Sequence, residues 1–375
     1  MIEPNSFLDF LKNQEINFFC GVPDSLLKEI CFCINESLDS KFHKITANEG
    51  SAVALAAGYH LATDKVPLVY MQNSGLGNAV NPLLSLCDSA VYKIPMLLLI
   101  GWRGEPGTLD EPQHKKQGAI QEKLLNILGI PYETIHNKFV NYDSLHNLIT
   151  KSKNNSCPVA ILVKKETFSK YKNITSNIKS NDLMIREKVL EQILNSKIKN
   201  EIFITTTGKT SREFYELRKK NNQILNKDFL TVGSMGHSSH IALGISMFKK
   251  NNIYCIDGDG SVIMHMGSLA INGTSELKNF KHIVLNNGSH ESVGGQPTVG
   301  KNINFSKIAE NCGYKGSRIV SNYAELKKGI NWISSNNGPL ILEIVIKNGS
   351  RPDLGRPKES PYKNKLEFMK NIFDE

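Results

Sequence analysis

Two hydrophobic rhythms alternate along this chain. Short, nearly continuous apolar runs recur in the first half as INFFCGV, HKITA, VPLVYMQN, IPMLLLIG and PVAILVKK. Runs of this kind suit strands buried on both faces. Between them lie segments with apolar residues at helical spacing, such as SLLKEICFCI and SAVALAAGYHLA. The polar stretch ETFSKYKNITSNIKSN, beginning at Glu166, breaks the pattern and reads as a linker. The rhythm then restarts with EIFITTT, FLTVG, IYCIDGD, HIVLNN, SRIV and LILEIVI. Strands that alternate with helices predict parallel sheets covered on both faces. The expected class is α/β, with two similar open parallel-sheet domains at 1–165 and 182–375 and a linker at 166–181. No residue-level repeat relates the halves.

Open parallel sheets bind ligands at the carboxyl ends of their strands. Those ends carry GVPDS, ANEG, QNSGLGNAVNP and GWRGEPG in the first half. In the second half they carry TTGKTS, VGSMG, DGDGS and NNGSHESVGGQPT. Three familiar motifs can be tested on these tips. A dinucleotide fingerprint needs glycine where Ile263 stands, and an EF-hand loop starting at Asp257 needs one where Val262 stands. A Walker loop ending at Gly208-Lys209-Thr210 needs its leading glycine at Phe203. All three fail.

Composition narrows the choice of partner. A length of 375 residues with 40% apolar residues fills two ordinary cores. The longest apolar stretch, Ile94 to Ile100, is too short to span a bilayer. The N-terminus holds acidic residues and no early basic cluster, so it does not read as a signal peptide, and a cytoplasmic location is expected. The seven cysteines include no Cys-x-x-Cys pair, which favours buried free thiols over disulfides or zinc. A net charge of +9 comes without dense basic runs interleaved with aromatics, so no nucleic-acid or membrane partner is expected. A basic balance does suit a small anionic substrate.

One pair of strand ends carries candidate chemistry. The run Ile253-Tyr254-Cys255-Ile256 leads into Asp257-Gly258-Asp259-Gly260, and after a gap of 25 residues HIVL ends in Asn286-Asn287-Gly288. An Asp after one strand and an Asn after the next can converge on a hard cation, which takes oxygen ligands and accompanies phosphates. Gly258 and Gly260 let backbone approach a diphosphate, and the N–H groups opening the helix after Ser261 can bind its oxygens.

This Gly-Asp-Gly, the gap and the Asn-Asn pair resemble the signature of thiamin-diphosphate enzymes. The resemblance implies that Asp259, Asn287 and the backbone oxygen of Ser289 hold Mg2+, with Gly258, Gly260 and Ser261 at the diphosphate. It also calls for a carboxylate that shares a proton with the aminopyrimidine ring. Glu49 in ITANEGSAVALAAGYHLA matches, although an acid opening a helix is favourable on its own account. In TVGSMGHSSHIALG, Met235 matches the apolar prop under the bent cofactor and the Gly233 carbonyl the acceptor from its amino group; Met235 also reads as ordinary core. The first half thus corresponds to the family's pyrimidine-binding domain and the second to its diphosphate-binding domain, with no middle domain.

That compactness, together with GVPDSLL, MQNSGLGNAVNPLLSL, GWRGEPG, DEPQH, NNGSHESVGGQPT and LGRPKESP, resembles the branch of decarboxylases acting on phosphonopyruvate and sulfopyruvate. The implied reaction is loss of carbon dioxide from 3-phosphonopyruvate to give phosphonoacetaldehyde, in phosphonate biosynthesis of the 2-aminoethylphosphonate type. Sulfopyruvate or another 2-keto acid, and a non-catalytic cofactor-binding partner subunit, are the alternatives. Asp24, His114 and Glu291 are the candidates for proton transfer beside Glu49, with Asp24 also readable as a helix cap. Candidate substrate contacts are Ser25, Arg103, Gln113 and His290, then Arg351 and Arg356 of RPDLGRP, which also read as a solvated tail. A tetrahedral anion calls for an arginine fork, and Arg103 follows a strand end. The family further implies a homodimer or larger homo-oligomer with sites between chains.

Overall fold

The computed structural model describes residues 1–137, 140–172, 183–196, 198, 201–223 and 227–373. It divides into two compact units, Met1–Ser176 with Val293–Gln296, and Asn177–Ser292 with Pro297–Glu375.

The first unit is built on six strands: β1 (Phe19–Gly21), β2 (His43–Ile45), β3 (Leu68–Gln72), β4 (Met96–Gly101), β5 (Tyr132–Ile135) and β6 (Pro158–Val163). They form one parallel sheet in the order β2-β1-β3-β4-β6-β5. Alternation along each strand feeds two cores. Leu97 and Leu99 face one, and Met96, Leu98 and Ile100 face the other. Both layers bury their side chains, which is why β4 and β6 read as nearly unbroken apolar runs.

The second unit repeats this plan with β7 (Ile202–Thr205), β8 (Asp228–Leu230), β9 (Ile253–Gly258), β10 (Phe280–Asn286), β11 (Gly316–Val320) and β12 (Leu340–Val345). Its order, β11-β12-β10-β9-β7-β8, is the first sheet's order read from the opposite edge. In each sheet the chain steps outward from its first strand to its second and returns on the other side of the first. The crevice between first and third strands, β1/β3 and β7/β9, is the topological switch point where open sheets accept ligands.

Among the described residues the apolar runs mark eleven of the twelve strands, and β5 is the one they do not mark. It lies at the sheet's edge with Tyr132, Glu133 and Thr134 only half buried, so its pattern is too polar to stand out. In the stretch expected as a linker, Thr167 and Phe168 are buried and pair with Ile2 at the N-terminus, while 173–181 lie outside the described residues. All seven cysteines are free thiols, and five of them are buried. Among the described residues no helix is long and apolar enough to cross a membrane.

Candidate active site

In the first unit, β1 runs into Val22-Pro23-Asp24 at the switch point. Asp24 is fully buried, and its two oxygens accept from Gln72 Nε2 at 2.6 Å and from the Leu26 amide at 2.9 Å. Burial pushes this carboxyl above its ordinary value, against the hydrogen bond from Gln72. A Cβ on Gly101, at the end of β4, would sit 2.1 Å from Asp24 Oδ2, so a larger residue here would displace that carboxylate.

Two residues past β4, Arg103 makes a fork with Asp110, Nε at 2.8 Å and Nη2 at 2.5 Å, and donates from Nη1 to Ser25 Oγ at 2.7 Å. Asn73 pins the Arg103 backbone by donating to its carbonyl at 2.8 Å and accepting from its amide at 3.1 Å. His114, at the start of the helix Pro112–Ile127, places Nδ1 2.9 Å from Asp110 Oδ1. The neighbouring Gln113 leaves a buried Oε1 with no hydrogen-bond partner among the described residues.

Glu49 opens the helix Glu49–Thr63, which Asn48 caps by accepting from the Ser51 amide at 2.9 Å. Alanines on the inner face of this helix let it sit close to the sheet, and Glu49 itself is 5% exposed. Its Oε2 accepts from Asn78 Nδ2 at 2.8 Å, and its carboxylate lies directly over Gly75.

In the second unit, the two acids of the opening turn part ways. Asp257 points into the interior, with Oδ2 3.6 Å from Nε2 of buried His282. Asp259 lies at the tip, 2% exposed, taking the Thr298 hydroxyl on Oδ2 and the Asn287 amide on Oδ1 at 3.4 Å. Burial raises the Asp259 carboxyl above its ordinary value, against hydrogen bonds from Thr298 and nearby backbone amides. A Cβ on Gly300 would come within 2.5 Å of Asp259 Oδ2, so a larger residue there would push this cluster apart.

Asn287 Oδ1 accepts from the Ser289 amide at 3.0 Å, and its Nδ2 donates to Glu291 Oε2 at 3.0 Å. Glu291 in turn holds Arg186 Nη1 at 2.7 Å and Lys209 Nζ at 2.9 Å. Burial alone would raise the Glu291 carboxyl, but Arg186 and then Lys209 outweigh it and leave it below the ordinary value. Ser261 Oγ accepts from Thr206 Oγ1 and from the Gly236 amide, each at 3.0 Å, tying together the ends of β7, β8 and β9. Gly233 lies in the loop after β8, in the turn that also carries Met235. The Met235 methyl and the His290 ring approach Gly260, where a Cβ would find them at 3.4 and 3.2 Å. Burial takes the His290 imidazole down to about 4.

Glu49, Asp24, Ser25, Arg103, Gln113 and His114 thus belong to the first unit, and Gly233, Met235, Gly258, Asp259, Gly260, Ser261, Asn287, Ser289, His290 and Glu291 to the second. Arg351 belongs to neither cluster. Arg351 lies among Glu187, Glu216 and Asp353, and Arg356 is exposed. Sequence reasoning missed Gln72, Asn78, Asp110, Arg186, Lys209 and Thr298. Gln72, Asn78, Asp110, Lys209 and Thr298 stand inside segments it had singled out, whereas Arg186 meets Glu291 from 105 positions away.

Comparison with known proteins finds two family domains along the chain. Residues 5–127 match the N-terminal TPP binding domain of thiamine pyrophosphate enzymes, and residues 204–344 match the C-terminal TPP binding domain. A phosphonopyruvate decarboxylase of Streptomyces viridochromogenes is 31% identical over 91% of this chain and 87% of its own length. Another from Streptomyces hygroscopicus is 29% identical over 96% and 92%. A sulfopyruvate decarboxylase of Methanosarcina acetivorans is 26% identical over 92% and 91%. The chain belongs to the thiamin-diphosphate-dependent 2-keto acid decarboxylases, in the branch that contains the phosphonopyruvate and sulfopyruvate decarboxylases.

Proposed function

We propose that this enzyme converts 3-phosphonopyruvate to phosphonoacetaldehyde and carbon dioxide, using thiamin diphosphate and Mg2+, as a step in phosphonate biosynthesis. The observation that carries the choice of substrate is that relatives at 31% and 29% identity, matched over 91% and 96% of this chain, are phosphonopyruvate decarboxylases. The Methanosarcina relative makes sulfopyruvate the second reading.

The residues at the tips of β9 and β10 suit the cofactor and its cation. Asp259, Asn287 and the Ser289 carbonyl offer an all-oxygen donor set, the choice of a hard divalent ion. The buried Ser289 Oγ has no partner among the described residues, and a Cβ on Gly258 would meet only open space. In the proposed arrangement those three residues would hold Mg2+, Gly258, Gly260 and Ser261 would meet the diphosphate, and the Gly233 carbonyl and Met235 would contact the rest of the cofactor. The bound cofactor supplies the electron sink that makes carbon dioxide loss easy.

The chain's own groups handle protons and charge. Glu49, fixed by Asn78, would share a proton with the aminopyrimidine ring of the bound cofactor. Asp24 is favoured in its protonated form by burial and is suited to deliver a proton to the carbon that carbon dioxide leaves, with His114 as relay. Arg103 and Ser25 take the tetrahedral anion, with Gln113 beside them. Arg351 is surrounded by carboxylates, which repel an anion, so Arg103 is the better fork. His290, held neutral by burial, is a hydrogen-bonding contact for the keto acid. Glu291 is kept ionised by Arg186 and Lys209, so its role is to orient Asn287 rather than to give up a proton.

We further propose a cytoplasmic homodimer, or a larger homo-oligomer, whose sites combine the pyrimidine-binding domain (1–165) of one chain with the diphosphate-binding domain (182–375) of another. Apolar side chains left open on the first unit support an assembly, with Leu55, Leu61, Leu84 and Tyr92 39%, 74%, 43% and 69% exposed. The test of the reaction is phosphorus NMR of phosphonopyruvate incubated with the enzyme, thiamin diphosphate and Mg2+. Phosphonoacetaldehyde should appear and should stop forming when the metal is chelated. Unchanged phosphonopyruvate in the complete mixture contradicts the proposal.

A further inference from the structure

The loop from Arg103 to His114 is built around one carboxylate to which no role has been given. Asp110 accepts from five donors. Arg103 Nη2, His114 Nδ1 and the Glu111 amide approach Oδ1 at 2.5, 2.9 and 2.7 Å. Arg103 Nε and the Gly104 amide approach Oδ2, both at 2.8 Å. Only an ionised carboxylate has the lone pairs for such a set; an amide would turn a donor toward donors. Burial alone would push this carboxyl up, but the bonds from Arg103, then His114 and the two amides, hold it well below the ordinary carboxylate range.

The surroundings fix its place. Gly104 adopts φ +68, in the left-handed region, and a Cβ on Gly118 would meet the Gly104 carbonyl oxygen at 1.7 Å. Trp102 Nε1 donates to the Gly118 carbonyl at 3.0 Å, so the helix Pro112–Ile127 is locked against the loop that carries Arg103.

This geometry sets the state of two groups. A guanidinium has five N–H donors in a fixed fork. In Arg103, two face Asp110 and one faces Ser25 Oγ, which leaves one on each terminal nitrogen for an incoming anion. In neutral His114, a proton on Nδ1 facing Asp110 makes Nε2 the nitrogen that accepts a proton.

We infer that Asp110 is a positioning residue for two groups at once, presenting the free edge of Arg103 to the substrate's anionic group and holding His114 with Nε2 open to carry a proton. The inference rests on the proposed roles of Arg103 and His114. Asp110→Asn keeps the volume and removes the charge. Without substrate, nitrogen NMR of the full-length variant should show His114 shifting from an Nδ1–H tautomer to a mixture. With substrate, KM should rise and kcat should fall, together lowering kcat/KM about 100-fold, the cost of reacting groups displaced by about 1 Å. Asp110→Glu, which restores the charge, should recover part of kcat/KM, whereas a loop merely needing a well-packed residue would favour the isosteric Asn. An unchanged His114 tautomer, or kcat/KM within twofold of the parent in Asp110→Asn, overturns the inference. If neither phosphonopyruvate nor sulfopyruvate is turned over by the parent, the reaction assignment fails, and the His114 tautomer alone decides the role of Asp110.

Discussion

Alanine at position 75 places a methyl group against Glu49. A Cβ built on Gly75 lies 2.3 Å from Glu49 Oε1, 2.4 Å from Cδ and 2.5 Å from Cγ, whereas ordinary contact begins near 3.4 Å. The carboxylate must therefore withdraw by about 1 Å, pulling against its 2.8 Å bond from Asn78. The backbone at Gly75 (φ −73, ψ −17) accepts alanine without strain, so the contact is the whole effect. A displacement of about 1 Å in a reacting group costs on the order of 100-fold, or about 2.7 kcal/mol of barrier. The assay is steady-state carbon dioxide release by Gly75→Ala, with circular dichroism to confirm folding and calorimetry to confirm cofactor binding. The expected result is a folded protein that binds thiamin diphosphate and has lost about 100-fold in kcat. A folded variant with kcat within twofold of the parent refutes the role assigned to Glu49.

Asp259→Ala should weaken Mg2+-dependent binding of thiamin diphosphate, read by calorimetry, by at least the ~10–100-fold that losing even an orienting partner costs a metal site. Unchanged affinity would remove Asp259 from the metal. Stability should fall in mild acid, because burial, then Lys44, takes His43 from 6.5 down to about 4 in the folded chain. A histidine whose folded value is depressed contributes fully above pH 6.5 and loses that contribution as pH falls toward 4, here up to about 3 kcal/mol. His43→Gln, which can keep a bond to Tyr70, should flatten that limb in urea titrations, and an unaltered limb would assign it to other groups. Mixing Glu49→Gln with Asp259→Ala under subunit exchange should restore activity, because a shared-site dimer gains one site carrying neither change. No recovery with exchange demonstrated would place each site within a single chain.

Much of this was legible in the sequence, for reasons that can be named. The strands β4 and β6 lie between two cores, so nearly every position along them is apolar, while β9 and β10 keep shorter apolar runs, Ile253–Ile256 and Ile283–Leu285, ahead of their polar tips. Their pairing into two sheets of one plan follows from the repeated alternation with helices. Asp259 and Asn287 could be paired because adjacent strands separate them by a single crossover, which fixes their spacing. The polar edge strand β5 was hidden because half its surface is open. The shell that sets protonation was hidden for a different reason. Thr298 reaches Asp259 across 39 positions and Arg186 reaches Glu291 across 105, distances at which sequence carries no spacing signal. Asp110 sits only seven residues from Arg103, yet an acid in a surface turn looks the same whether it accepts five donors or none.

The choice of substrate is decided by a side-by-side rate of carbon dioxide release from phosphonopyruvate and sulfopyruvate at equal concentration, with thiamin diphosphate and Mg2+ present. A higher kcat/KM is expected for phosphonopyruvate, with both rates abolished by leaving out the cofactor. Faster release from sulfopyruvate, or release that persists without thiamin diphosphate, contradicts that expectation.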